Sequence, residues 1–419
     1  MDVWVVQIAE PTPLSKNSRQ MRTGILAEKL MQRGHDVLWW ISAFDHLRKE
    51  WLFRDDTEVT LKHKLRIKAI KGSGYKKNVS MRRYLDHKLI ANKFKRQSGK
   101  MPKPDVVIAS LPPHDVAYEA AVYARNNHVP IILDVRDTWP DIFLDNVSPG
   151  LTKLANAVLR SDFEKTREAM KIASGIVAVS NTFLKWALKY ANRDRTVTDK
   201  VFYLGAGRSD CILRDASEEY RILLSTLTDK FVVTFVGTFS SYHNPSIIIK
   251  CARTMKQKDI VFVLAGDGDN STQIRKGIRE LDNVILPGWL DKNQIDLLLS
   301  KSHVGLCPTS KDVDLFPNKA FSYLSAGLPI VSAFNGDLKD LLAEYEIGFT
   351  YHPGDSEGLA RYITILYENS DLYRRMSANA KQVFKEIFDA DKIYEEYALH
   401  IEGVQNAYST GKLDHRCKR

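Results

Sequence analysis

The chain has 419 residues, 44% of them hydrophobic, with 61 Lys and Arg against 51 Asp and Glu and a net charge of +10. That size and apolar content provide for two domains of ordinary size, each with a full core, and exclude a disordered or disulfide-stapled chain. No apolar run is long enough to cross a bilayer and residues 2–9 already read as a strand, so neither a transmembrane span nor a cleaved signal peptide is expected, and the expected location is cytoplasmic. Cys211, Cys251, Cys307 and Cys417 are widely spaced with no C-x-x-C pair, as fits reduced thiols better than disulfides or zinc.

In chain order, residues 2–9 read as a strand, 16–33 as a helix stopped at Gly34, and 35–42 as the next strand, a βαβ opening. The first strand-to-helix loop offers Ser15, Asn17, Arg19 and Arg22 as polar candidates. The positive charge is then concentrated: from Lys62 to Lys103 fifteen basic residues face the single Asp86, while the rest of the chain has 46 basic and 50 acidic residues. Inside this stretch Met81, Tyr84, Leu85, Leu89 and Phe94 fall near helical spacing with basic residues between them, the pattern of a helix that lies on an anionic membrane. The alternative is a solvated face packed by its apolar stripe. No finger, RNP or recognition-helix pattern accompanies the charge, so no nucleic-acid partner is expected.

Residues 104–110 and 129–135 read as buried strands, with a helix from about His114 to Asn127 between them. The second is followed by Arg136-Asp137-Thr138-Trp139-Pro140-Asp141. In a doubly wound sheet the loops past the carboxyl ends of the strands line the ligand crevice, so His114, Arg136, Asp137 and Trp139 are expected to converge. Arg136 could hold a phosphate, Asp137 or His114 could orient an acceptor hydroxyl, and Trp139 could stack on a sugar face. The alternative is a structural Arg–Asp pair beside a core Trp. A helix over 151–171, a strand over 174–180, a helix to Tyr190 and a strand over 200–205 complete this half, and Gly205-Ala206-Gly207 opens the hinge to the next.

The second half repeats the rhythm with strands at 230–237, 259–269, 283–290, 303–309 and 328–333, predicting a second parallel sheet, then helices over 355–367, 371–388 and 390–408. Within it, residues 312–331 (DVDLFPNKAFSYLSAGLPIV) join a turn to a short helix whose first turn suits Pro317 and leaves Asn318, Lys319 and free amides toward an anion, here phosphate. Two D-x-D triplets, Asp267/Asp269 and Asp312/Asp314, fall inside these segments, and no His, Cys or Glu cluster has metal-ligand spacing. No essential metal or cofactor is therefore expected.

These motifs carry a resemblance. Pro317-Asn318-Lys319 with Gly327 and Pro329 resembles the P-N-K…G-x-P-V segment of the family 4 retaining glycosyltransferases of GT-B fold. Ala265-Gly266-Asp267-Gly268 resembles that family's A-G-x-G turn, Pro287-Gly288-Trp289-Leu290 its stretch near the base, and RDTWP a signature of the subgroup that builds bacterial surface polysaccharides (O-antigen, capsule). The resemblance implies an α/β protein with two Rossmann-like doubly wound parallel-sheet domains facing a cleft: acceptor-binding residues 1–205, nucleotide-sugar-binding residues 206–388, and a final helix and tail, 389–419, returning to the first domain. It implies donor contacts at Gly237, Thr238, Gly266, Asp267, Gly268, Trp289, Leu290, Phe316, Pro317, Asn318 and Ser322. Acceptor contacts fall at Ser15, Arg19, Arg136 and Trp139, and the catalytic set is Asp137, His114, Lys319 and Asp314. The implied activity is sugar transfer from a nucleotide-sugar, a UDP-sugar in first place, to a lipid-linked (polyprenyl diphosphate) or oligosaccharide acceptor at the inner face of the cell membrane. Asp314 and Ser322 stand where the family has two Glu, and the loop after Val236 lacks the family's basic pair but offers Thr238, Ser240, Ser241 and His243. Two other readings stay open: a GT-B scaffold that has lost catalysis, and a sugar-nucleotide epimerase.

Overall fold

Runs such as Val106–Leu111 and Ile260–Ala265 are buried along their whole length, as strands of a parallel sheet covered on both faces must be. A computed structural model describes residues 1–14, 20–78, 80–144, 147–207, 217–240, 243, 245–255 and 259–413. The chain forms two units, Met1–Tyr203 with Tyr394–Arg419, and Leu204–Ile393.

Unit one contains β1 (Asp2–Val6), α1 (Arg22–Gln32), β2 (Asp36–Ser42), β3 (Phe44–Asp45), β4 (Glu50–Trp51), β5 (Thr57–Lys62), β6 (Leu65–Ile70), α2 (Met81–Ser98), β7 (Val106–Leu111) and α3 (His114–Asn127). It continues with β8 (Ile131–Val135), α4 (Thr152–Val158), α5 (Arg160–Ile172), β9 (Gly175–Ala178), α6 (Asn181–Ala191) and β10 (Lys200–Val201). The main sheet runs β10-β9-β8-β7-β1-β2-β6-β5 and is parallel except for the edge strand β5. Its order reverses between β1 and β7, so the loops after those two strands flank the switch point.

Strands β5 and β6 fall in a region the sequence left without elements. Their signal is alternation: Leu65, Ile67 and Ala69 are buried while Arg66 and Lys68 point outward, so basic residues at 62–71 are the solvent side of a hairpin. The helix expected over 151–171 is two helices. The chain breaks at Leu159, leaving Leu154 and Val158 of α4 exposed while Asp162 and Phe163 of α5 are buried; no Gly or Pro marks the break.

Unit two holds α7 (Glu218–Thr226), β11 (Phe231–Val236), α8 (Ser246–Thr254), β12 (Ile260–Ala265), α9 (Ser271–Gly277), β13 (Val284–Gly288), α10 (Lys292–Ser300), β14 (Val304–Cys307) and α11 (Lys319–Ser325). After these come β15 (Ile330–Ser332), α12 (Asp337–Glu344), β16 (Gly348–Thr350), α13 (Ser356–Glu368), α14 (Ser370–Val383), a π-helical turn at Phe384–Phe388 and α15 (Ala390–Ser409). Its sheet is wholly parallel in the order β13-β12-β11-β14-β15-β16 and reverses between β11 and β14. Phe235, Phe262, Leu264 and Leu306 fill one face under α8 and α13, and Val232, Val263, Leu297 and Leu298 fill the other. Cys251 and Cys307 are buried free thiols, while Cys211 and Cys417 lie outside the described residues.

From Tyr394 on, α15 belongs to unit one, where apolar and charged contacts fix it. Tyr397 stacks on Phe202 with ring centroids 4.6 Å apart, and Arg33 donates to both carboxylate oxygens of Glu402 at 2.8 and 2.9 Å. The Gly205–Ala206 segment pairs within unit two, Ala206 N–H donating to Phe388 O at 3.1 Å and Ala206 O accepting from Ala390 N–H at 3.0 Å; the rest of the expected hinge, from Arg208, lies outside the described residues.

Candidate functional site

In unit two the reversal of strand order sits between the loop after β11 and the segment after β14, which carries Lys319. Gly237, Gly266 and Gly268 all have positive φ, and the two loops close on each other: a Cβ at Gly266 would stand 1.9 Å from Gly237 O, and one at Gly268 2.8 Å from Phe239 O. Only glycine permits that approach, which brings backbone to the end of the sheet where a side chain would otherwise stand. Three backbone bonds fix the loops: Gly237 N–H to Ala265 O at 2.9 Å, Phe239 N–H to Asp267 O at 2.9 Å and Asn270 N–H to Phe239 O at 3.0 Å.

Lys319, at the start of α11, points its Nζ into this corner. The Nζ is sealed from solvent, lies 4.0 Å over the Phe235 ring, and would be 3.0 Å from a Cβ at Gly237. Among the described residues it has no hydrogen-bond partner, and no carboxylate is within ion-pair reach. Burial pulls its pKa down to about 8. The nearby His243 is held neutral, its pKa pushed down to about 4 by burial and then by the charge of Lys319. A buried ammonium with only a ring face beside it is destabilising on its own, and an anion would satisfy it.

The other expected donor residues divide. Thr238 and Asn318 are exposed, and Ser322 is partly buried on α11. Trp289 is largely exposed, next to Gly288, whose carbonyl accepts from Gly266 N–H at 2.8 Å. Asp267 is engaged in its own turn before α9, its carboxylate accepting from Gly268 N–H at 2.8 Å and from the Ser271 hydroxyl. Asp314 is exposed and its backbone bridges to Asn335. Leu290 and Phe316 are core side chains: Leu290 lies in the apolar cluster with Val263 and Leu297, and Phe316 stacks on Phe321 at 4.6 Å and rests on Phe388. Pro317 is buried beside them. The structure thus brings together Gly237, Gly266, Gly268 and Lys319.

In unit one Arg136 is occupied by protein. Its Nε donates to Asp134 at 2.8 Å, Nη1 to Glu10 at 3.0 Å and Nη2 to Thr23 at 2.9 Å. Arg22, from the first loop, is buried on the other side of Asp134, donating to it at 2.9 Å and to Phe202 O at 2.7 Å. This is the Arg–Asp structural pair, but the acid is Asp134 rather than Asp137. Asp137 accepts from Thr138 N–H at 2.8 Å and is half-buried. Ser15 and Arg19 lie outside the described residues.

His114 is buried, its Nε2 3.0 Å from Asp162 and 3.5 Å from Asp115, both also buried. With Asp115 and Asp162 it has ligand atoms close enough for a metal ion, a cluster only the tertiary fold assembles. Lys88 lies 3.3 and 3.5 Å from the two carboxylates, Lys165 pairs with Asp115, and the Tyr84 hydroxyl donates to Asp162 at 2.7 Å. Two ammonium groups therefore already neutralise the acids. Burial alone would raise the Asp162 pKa, but His114, Tyr84 and Lys88 more than offset it and hold it at about 2. Trp139 is half-buried, edge-on to Phe143 at 4.6 Å, and its ring lies 5.8 Å from His87 and 6.2 Å from His114.

The basic run is less positive in space than along the chain. Lys62, Arg66, Lys68, Lys71, Lys93 and Lys95 pair with Glu28, Glu58, Asp55, Asp56 and Glu119. On α2, Ile90 and Phe94 enter the core while Met81, Leu85 and Leu89 are exposed, so the apolar stripe read from the sequence splits between two faces. Lys76, Lys77 and Arg82 are exposed and have no ion-pair partner among the described residues. No described helix is long and apolar enough to cross a membrane.

Residues 217–383 match the family model described as glycosyl transferases group 1. The chain is 22% identical over 271 residues to the O-antigen chain mannosyltransferase C of Escherichia coli, covering 62% of this chain and 72% of that protein. Among solved structures it resembles the Anabaena protein HepE in complex with UDP, with a TM-score of 0.66, 16% identity and coverage of 96% and 99% of the two chains. It is also similar to WaaG, a glycosyltransferase involved in lipopolysaccharide biosynthesis, with a TM-score of 0.63, 14% identity and coverage of 96% and 100%. Two parallel-sheet units of this topology, a glycine-lined corner around a buried lysine and these similarities lead to one conclusion: the chain is a glycosyltransferase of the GT-B fold, its second unit built on a group 1 glycosyl transferase domain.

Proposed function

We propose that the protein is a retaining glycosyltransferase that moves a hexosyl or N-acetylhexosaminyl group from a UDP-sugar to a lipid-linked (polyprenyl diphosphate) or oligosaccharide acceptor in surface-polysaccharide synthesis. The observation that carries this is the buried, unpaired Lys319 beside Gly237, Gly266 and Gly268. A diphosphate there would receive the ammonium, and would remove the cost of leaving that charge unpaired. In the step itself the acceptor oxygen forms a bond to the anomeric carbon on the face from which the diphosphate oxygen departs. The hydroxyl proton passes to the leaving phosphate, and Lys319 stabilises the charge that develops there. No metal ion is needed for that charge.

The experiment is thermal unfolding against UDP, GDP, dTDP and CMP. A nucleotide at a hundred times its dissociation constant adds about 2.7 kcal/mol, and UDP is expected to give the largest shift. If none shifts the melt, the reading as a scaffold takes its place, with Ser322 in place of a carboxylate as its cause.

The same reading has unit one peripheral on an anionic membrane through α2. Neutralising Lys76, Lys77 and Arg82 together is expected to weaken binding to anionic vesicles by about a hundredfold, at about 1 kcal/mol per basic residue, with no change on neutral vesicles. Equal loss on both vesicle types would count against an electrostatic attachment. Lys88 is unsuitable for that test because it neutralises buried Asp115 and Asp162.

A further inference from the structure

Beside the RDTWP loop, unit one has an open pocket of about 570 Å³ whose walls include Met81 and Tyr84 of α2, Trp139, Ile142 and Phe143, and Val158 of α4. That is the size of a small-molecule site, and its lining is predominantly apolar. Two of its walls, Met81 and Val158, are more than half exposed, as are Leu85 on α2, Leu154 on α4 and Leu151 just before α4, and Lys76, Lys77 and Arg82 lie close to Met81 in the chain. Soluble proteins seldom leave so many large apolar side chains together in water unless something covers them.

At the pocket stands Arg83. Its guanidinium lies 5.2 Å over the Trp139 ring and 5.7 Å over that of Tyr75, Nη1 donates to Asn78 O at 2.9 Å, and Nε is buried without a partner. Among the described residues no carboxylate is within ion-pair reach of it. His87 and His46 beside it are held neutral by burial and then by its charge, so Arg83 and Lys49 supply the positive charge here.

The chemistry narrows the occupant. The polar lining is Asn78, Ser80, Arg83, Tyr84 and His87, and the Ser80 and Tyr84 hydroxyls already donate to Lys77 O and Asp162, so a peptide or a sugar would leave most of its hydrogen-bonding groups against the apolar walls. A hydrocarbon chain has no such groups, and one anionic head would satisfy Arg83. We propose that the pocket holds the head-proximal segment of the acceptor's hydrocarbon chain, with Arg83 on its phosphate. The inference rests on the reading of unit one as the site of a lipid-linked acceptor. It adds that the protein draws part of the chain out of the bilayer, so that Trp139 and Arg83 select the acceptor by lipid as well as by sugar.

The test is calorimetric titration of the full chain with inorganic phosphate, geranyl phosphate, farnesyl phosphate and farnesol. Farnesyl phosphate is expected to bind one to one and about tenfold or more tighter than inorganic phosphate, with geranyl phosphate between them. Ile142→Trp, which fills the pocket, and Val158→Asp, on an exposed helix face that folding does not require, should each weaken farnesyl phosphate about tenfold. Arg83→Gln should erase the preference for farnesyl phosphate over farnesol. The UDP-induced melting shift of all three variants should equal that of the wild type. Affinity independent of chain length, or wild-type farnesyl phosphate binding by both Ile142→Trp and Val158→Asp, overturns the proposal. Binding of farnesyl phosphate by a protein that no nucleotide stabilises would leave the pocket standing and remove the transferase reading; the reverse pattern would remove the pocket alone.

Discussion

Lys319→Met is expected to abolish the nucleotide-induced melting shift and lower turnover by about 100- to 1,000-fold, the loss typical of removing one preorganised charge from a transition state. The same variant should make the ligand-free protein more stable. The pKa of Lys319 falls from its ordinary 10.5 to about 8 because folding buries the ammonium without an anion. Keeping it charged at neutral pH therefore costs on the order of 3 kcal/mol, and Met fills similar space with no charge to desolvate. A rise of several degrees in melting temperature follows for a unit of this size. The pH dependence has a definite sign. The unfolded chain binds the Lys319 proton up to higher pH than the folded one, so wild-type stability should rise between about pH 8 and 10.5, and the variant should lack that rise. Nucleotide affinity runs the other way: the bound diphosphate requires the charged form, so affinity should fall as pH climbs above about 8. A variant that lost neither nucleotide binding nor the alkaline rise in stability would remove Lys319 from the donor site.

The second large effect is predicted for Asp134→Ala, with a loss of about 3–5 kcal/mol and about 10 °C in the melting of unit one, while nucleotide binding by unit two persists. Asp134 is fully buried at the end of β8 and accepts from both Arg22 and Arg136, and Arg22 also lies 5.0 Å from the ring of Tyr397 in the last helix. Removing the carboxylate leaves the buried Arg22 guanidinium without a counter-ion and Arg136 with Glu10 alone. Burial would raise the Asp134 pKa, but Arg136 and Arg22 more than offset it and keep it below the usual carboxylate range. Its contribution is therefore complete at neutral pH and lost as pH falls from that range down through its own lowered pKa, and the variant should show a weaker loss of stability on acidification than the wild type. The comparison also fixes the role of Arg136. Loss of transfer without loss of stability in Asp134→Ala would mean that the Arg is free to serve the acceptor; loss of stability assigns it to the scaffold.

Most strands of the two sheets could be read because they are continuous apolar runs, the three-residue β16 (Gly348–Thr350) being too short to show one, and position 2 to position 42 announced a βαβ unit through its periodicity alone. The β5–β6 hairpin was hidden by its basic residues, which look like one charged tract along the chain but alternate with Leu65, Ile67 and Ala69 in the sheet. The break at Leu159 had no Gly or Pro to mark it, and it decides which side of residues 151–171 is wet.

The sequence by itself determined the α/β class, the glycine positions at the sheet ends and the presence of a lysine, Lys319, beside them, because strand burial, backbone angles and residue charge are local properties. Only the tertiary structure decided which charges are free. Arg136, His114 and Lys88 look available in the chain, yet Arg136 meets Glu10 as well as the nearby Asp134, His114 meets Asp162, and Lys88 meets Asp115 and Asp162, with Glu10, Asp162 and Asp115 brought in by separate elements. Among the described residues Lys319 and Arg83 have no carboxylate for the same reason: whether a charge has a partner depends on distance in space, which periodicity and spacing along the chain do not contain.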